Sequence, residues 1–286
     1  MAANPAYAQA NVTPQQLNAT PERRWLAGFL NLFRNENAMW WRTRRWLISV
    51  VVWTLLVNGI LALALYAPVD ETGPPPSADT VDPSNPVVLG TTLLLIVGGL
   101  TTAVGAVITM QGVVIDEKKS GTAEWILSKP VSRAAFIMAK WSANLLASLL
   151  ITIILQGIIA YVLISARSGS ALSVSNFVAA LSLQSLHMLF YLSLTLMLGT
   201  LFDGRGAVLG IPLGLLLGAQ LFLLVVPSLA EIMPWVLAIP PNGPDSLATL
   251  AMRGQPLPTI TPIIATAGWI IVFVVVSVWR FGREEF

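Results

Sequence analysis

Six apolar runs set the plan of the chain, at about 46–66, 87–112, 136–164, 177–201, 207–227 and 262–279. A helix needs about 20 apolar residues to cross the bilayer core, and only internally paired backbone survives there. The runs therefore predict an all-α integral membrane protein with six transmembrane helices. The third run is longer than a crossing requires, so its start is predicted to lie outside the hydrocarbon. The last is short and is bounded by Pro262 and Arg280. A different pattern precedes the first run. Over 22–41, Trp25, Leu26, Phe29, Leu30 and Phe33 share one helical face, with Arg23, Arg24, Asn31 and Arg34 largely elsewhere. Thr20 suits the cap and Pro21 the first helical position. This predicts a helix lying in the headgroup layer. Trp40, Trp41, Arg42, Arg44 and Arg45 then anchor the mouth of the first span.

Composition agrees with the pattern. The chain has 286 residues, 55% hydrophobic and 10% charged, where a soluble domain has roughly 25% charged. It contains no cysteine, which excludes disulfides and thiolate chemistry. Its single histidine, His187, builds no zinc site alone. A formal charge of +2 points to membrane topology, not to nucleic acid. With both termini inside, Arg23, Arg24, Arg34, Arg42, Arg44, Arg45, Lys118, Lys119, Lys129, Arg133, Lys140, Arg205, Arg280 and Arg283 are cytoplasmic, and only Arg167 and Arg253 are external. That asymmetry sets the predicted orientation. Residues 1–20 are polar and lack the apolar core of a secretory signal; they read as a disordered tail, and 21–286 as the transmembrane domain. The loop 67–86 carries Pro74, Pro75, Pro76 and Pro83 among Asp70, Glu71, Asp79 and Asp82, a stiff acidic connection. In 228–261, pieces such as 229–239 are apolar enough to lie in the interface or to dip in and return.

The densest charge lies between runs two and three, from Asp116 to Lys140. Ser120 or Thr122 can cap a short helix there, and Glu124 suits its first turns. Pro130 ends that helix, and Ser132 can cap the next. The run Glu117, Ser120-Gly121-Thr122, Glu124, Leu127-Ser128, Pro130-Val131-Ser132-Arg133 and Lys140 resembles the signature loop of ABC transporter permeases of the ABC-2, or type-2 exporter, class. The resemblance implies that Asp116, Glu117, Ser120, Gly121, Thr122, Glu124, Pro130 and Arg133 form the coupling helix that docks on an ATPase. It implies an elbow helix at 22–41 and re-entrant helices in 228–261. It implies two ABC ATPase subunits as partners, and a second copy of the chain or a homologous permease. The setting is then the plasma membrane of a bacterium or archaeon, with membrane lipids as neighbours. ATP and Mg belong to the ATPase partner: this chain lacks a G-x-x-x-x-G-K-[ST] loop and needs no cofactor of its own.

The spans carry no Asp, Glu, Lys or Arg near a predicted midplane, which argues against a proton-coupled carrier. Gly206, Gly210, Gly214 and Gly218 recur every four residues on one face of run five. Such spacing permits close helix packing, within the chain or between two copies. Gly98 to Gly105 mark a second small-residue ridge. Asn58, Gln111, Asn144, Gln156, Gln184, His187 and Gln220 are the polar residues at depth; each suits a substrate contact or a bond to a neighbouring helix. Asp203 and Arg205, in DGRG, signal the turn between runs four and five. Two other functions are compatible with parts of the sequence. One is a non-transporting scaffold or sensor of the same fold. The other is an intramembrane hydrolase using Ser185 or Ser193 with His187.

Overall fold

The computed structural model describes residues 25–67, 85–238 and 245–284, and every regular element among them is helical. The proposed tail, the start of the amphipathic segment and most of the acidic proline loop lie outside the described residues. Helix α1 spans Phe29–Arg42. It starts later than the predicted 22, because Gly28 before it has φ 82°, a left-handed conformation that cannot continue a helix. Five helices are long and apolar enough to cross a membrane: α2 (Arg45–Tyr66), α3 (Pro86–Met110, whose helical run continues with interruptions to Lys119), α6 (Arg133–Ser168), α7 (Val174–Leu201) and α12 (Thr261–Gly282). Between α3 and α6 lie two short helices, α4 (Ile115–Lys119) and α5 (Thr122–Leu127).

The predicted fifth run is the exception. It forms α8 (Arg205–Leu217) and α9 (Ala219–Val225), interrupted at Gly218. Glycine at 206, 210, 214 and 218 supplies little side chain to hold this segment against its neighbours. Pro212 also removes one backbone donor inside α8. The chain then makes a 3-10 turn at Pro227–Glu231 and two short helices, α10 (Trp235–Ala238) and α11 (Leu247–Met252). These enter the bundle. Trp235, Leu237, Leu247 and Ala248 are buried, and Ala238 comes so close to Gly99 that a Cβ there would lie 3.0 Å from its own. Gly99 is halfway along α3, so the segment reaches the middle of the bundle.

α7 is the central post, packed by α3, α11 and α12. In lipid, apolar side chains gain little by leaving their solvent, so close van der Waals packing and helix-to-helix hydrogen bonds decide the geometry. The glycines of α3 show this. Gly98 faces the Gln184 amide, Gly105 lies against Trp53 of α2, and Gly90 lies against Ile164 of α6. Two π-helical turns, Thr54–Gly59 in α2 and Leu149–Ile154 in α6, each pack against the helix that carries the other. A π turn leaves a carbonyl without its usual partner. Gln156 supplies one: its amide donates to Ile151 O at 3.0 Å and to Thr54 Oγ1 at 3.2 Å. Asn58 then donates to Gln156 Oε1 at 2.6 Å. The polar pair Asn58 and Gln156 thus joins helices.

Substituting Gly105→Val should lower the melting temperature of the detergent-solubilised protein, because the added Cβ would meet Trp53 Cζ2 at 2.8 Å; overpacking of this kind costs about 1–3 kcal/mol. Gly210→Ala, where nothing lies within 4 Å, should not lower it. Equal losses at both positions would refute the packing described for α3.

Candidate functional site

The charged loop between α3 and α6 is organised by its backbone first. Gly121, φ 71°, is the residue before α5 and turns the chain out of α4. No atom lies within 4 Å of a Cβ added there, so glycine is required by the backbone conformation and not by crowding. Ser120 and Thr122 do not cap α5; their hydroxyls bond to each other at 2.8 Å. Ser132 does cap α6, accepting from Ala135 N at 3.0 Å. It also ties the loop to the chain ahead of α1, donating from Oγ to Trp25 O at 2.5 Å and from its backbone N–H to Ala27 O at 3.0 Å. Pro130 lies in the exposed stretch that follows α5.

The inward charges of the loop reach three other parts of the fold. Lys140 Nζ lies 2.5 Å from Glu117 Oε1 and 2.7 Å from Glu36 Oε1. Its side chain is only 3% exposed. One helical turn on, Trp40 Nε1 donates to Asn144 Oδ1 at 3.0 Å, so α1 and α6 meet through two matched i, i+4 pairs. Asp116 accepts from Arg205 Nη2 at 2.7 Å with both oxygens. Lys118 Nζ contacts Asp203 Oδ1 at 3.0 Å and Glu284 Oε1 at 2.5 Å. Arg133 donates to Gly282 O at 2.8 Å and Glu284 O at 2.7 Å. The ring of Phe136 stacks on Phe281 with centroids 5.0 Å apart. The loop is thereby joined to α1, to the α7–α8 turn and to the C-terminal end of α12. The Lys118 hydrogen bond holds the Asp203 carboxyl below its ordinary value. That contribution is present above the ordinary value of 3.8 and is lost as pH falls through the lower, folded value. Asp203 is exposed, so its share of stability is small.

The outward side is different. Ala123 anchors α5 inward, fully buried, while Glu124 and Trp125 point away. Trp125 is 62% exposed, with Lys129 Nζ 3.4 Å above its ring. A cation–π pair on an exposed ridge is a common recognition element.

Sequence reasoning identified the loop and its helix signals. It did not identify Glu36, Asp203, Arg205 or Glu284 as partners of the loop, because pairing across the fold leaves no mark in local spacing. A usable signal was the confinement of almost all Lys and Arg to one end of the helices. Gly206, Gly210 and Gly214 stand apart from this site, with open space beyond each; Gly218 meets only its own helix. Gly210 and Gly214 edge an apolar cavity of about 520 Å³ with Phe190, Leu194, Trp269 and Phe273.

The hydrolase constellation is not assembled. His187 is fully buried with no hydrogen-bond partner for either ring nitrogen. Ser185 donates to Leu181 O and Ser193 accepts from Trp141. Among the described residues no cluster of His, Asp and Glu suits a metal.

Lys140→Met should be the most destabilising single change at this face, since it leaves Glu36 and Glu117 close together without their cation; breaking a buried pair costs about 3–5 kcal/mol. The triple variant Lys140→Met, Glu36→Gln, Glu117→Gln should recover most of the loss. Thermal unfolding measures both. A triple variant as unstable as the single one would contradict this account of the cluster.

The five long apolar helices agree with the comparison of this sequence with known families. No curated protein matches it significantly, but the pattern described as ABC-2 family transporter protein matches residues 30–286, nearly the whole described chain. The chain is therefore a multi-pass membrane protein and belongs to the ABC-2 transporter family, as a transport component that is not itself catalytic.

Proposed function

We propose that this chain is the permease subunit of an ATP-driven exporter, with its charged face in the cytoplasm and its N- and C-termini on that side. Two ABC ATPase subunits hydrolyse ATP with Mg, and one docks on α5 of each permease copy. The observation that carries this reading is the two-sidedness of the loop. Its inward charges tie it to α1, to the α7–α8 turn and to the end of α12. Its outward ridge, Glu124, Trp125 and Lys129, makes no side-chain hydrogen bond or ion pair among the described residues, and its cation–π contact is internal. A displacement applied to the ridge is carried as a rigid unit into four membrane helices, α3, α6, α7 and α12, which supports alternating access by span rotation. The orientation rests on the basic residues of this face.

A second copy of the chain completes the transport path. Among the described residues nothing lies within 4 Å of a Cβ added at Gly206, Gly210 or Gly214, beside the apolar cavity, and small-residue faces permit close approach of helices in lipid. The same neutral surface suits an apolar or amphiphilic cargo.

Gly121→Val forces a branched side chain into a left-handed conformation, and Glu124→Lys reverses the charge of the ridge. In a reconstituted complex with its ATPase, both should retain folding and lose substrate-stimulated ATP hydrolysis by about tenfold, equivalent to 1.4 kcal/mol of coupling. Unchanged stimulation would overturn the coupling role. Gly210→Leu with Gly214→Leu should shift the solubilised permease from dimer to monomer by light scattering. A dimer fraction unaltered by the pair would remove α8 from the interface.

A further inference from the structure

Beside the Lys140 cluster lies a second cavity, of about 550 Å³, between α1, α2 and the end of α3. Its two outer walls grade in the same direction. On α2, Arg45 stands at the first turn and Ile48 one turn deeper; on α3, which runs the opposite way, Gln111 stands at the end and Ile108 one turn deeper. The deeper pair is open to the bilayer, Ile48 at 63% and Ile108 at 52% exposure. The cavity is polar at headgroup level and apolar toward the hydrocarbon, which is the layout of a lipid and not of a water-soluble ligand.

Its charges specify the headgroup. Asp116 and Arg205 neutralise each other. Lys140 is shared by Glu36 and Glu117, so that group retains one negative charge when both acids are ionised. Arg45 has no ion pair or hydrogen bond among the described residues, and the Arg44 side chain makes no cap bond at the start of α2. The cavity thus offers an unmatched guanidinium for a phosphate and a carboxylate group with one ammonium too few. A zwitterion with an N–H-bearing ammonium answers both. A quaternary ammonium has no N–H to donate, and an anionic headgroup without an amine leaves the carboxylates unanswered.

We propose that this cavity holds a resident phospholipid with a primary-amine headgroup, of the phosphatidylethanolamine type. Its phosphate lies on Arg45, its ammonium faces the Glu36 and Glu117 carboxylates, and one acyl chain runs along Ile48 and Ile108. So placed, the lipid braces α1 against α2 and α3 beside the loop.

The test is lipid titration of the full-length protein by native mass spectrometry, with palmitoyl-oleoyl phosphatidylethanolamine, phosphatidylcholine and phosphatidylglycerol as probes. The proposal expects one ethanolamine lipid bound about tenfold more tightly than the choline lipid, the scale of one additional charge-assisted hydrogen bond. Arg45→Gln, which breaks no ion pair or side-chain hydrogen bond among the described residues, should weaken ethanolamine-lipid binding about fivefold or more on the same scale. Arg253→Gln, far from the cavity, should not. Equal affinity for the ethanolamine and choline lipids would overturn the proposal without needing a variant. So would preference for the glycerol lipid, or unaltered binding in Arg45→Gln. In ATP-energised vesicles with the ATPase partner, labelled ethanolamine lipid should stay unmoved; ATP-dependent movement would make it cargo and overturn the resident role.

Discussion

One buried ammonium organises the charged end of this protein. Lys140 has almost no contact with solvent, and isolation of such a charge in a low-dielectric setting would be prohibitive. It is retained because Glu36 reaches it from α1 and Glu117 from the loop. These partners belong to segments with modest apolar anchorage: Leu32 of α1, and Ile115, Ala123, Ile126 and Leu127 of the loop, pack into or against the core. α1 has no buried residue, and α4 buries only Ile115. The pairing adds to that packing, and to the Trp40–Asn144 bond, in setting where the amphipathic helix and the loop sit relative to α6. Buried pairs are weak sources of net stability but strong constraints on arrangement, and arrangement is what a docking surface needs.

The rest of the bundle is held by other means. Glycines on α3 allow Trp53, Ala238 and Gln184 to approach closely. The Asn58–Gln156 bond and the π turns beside it join α2 to α6. Trp235 is buried with its indole donating to the Tyr191 hydroxyl at 3.2 Å, which fixes the inserted segment on α7. The α8–α9 segment is held differently: Ala219 and Leu223 pack with Trp235, while Gly206, Gly210 and Gly214 have no described atom within 4 Å of an added Cβ.

Much of this was legible in the sequence. Run length and hydropathy marked the five long helices, because in lipid these two quantities nearly determine secondary structure. The Ser132 cap and the end of α5 before Pro130 followed from local chemistry. The start of α1 did not, since Thr20 and Pro21 offer a plausible beginning while Gly28, in its left-handed turn, decides where the helix begins. The interruption at Gly218 was likewise hidden in a run whose hydropathy is continuous. Charge pairing was the least legible of all. Lys140 was counted with the other cations of the loop, and nothing near it in the chain announces Glu36, which lies 104 residues away.

The central claim is that the ridge at Glu124 and Trp125 is where a separate ATPase grips this chain. The absence of native cysteine makes a single-site probe straightforward. Trp125→Cys, carrying a short photoactivatable cross-linker, should join the permease to its ATPase subunit in the assembled complex, while the same probe at Ser170, between α6 and α7 at the opposite end of the bundle, should not. A probe at 125 that captures no ATPase, or that is labelled by impermeant reagent from outside the cell, would contradict the account.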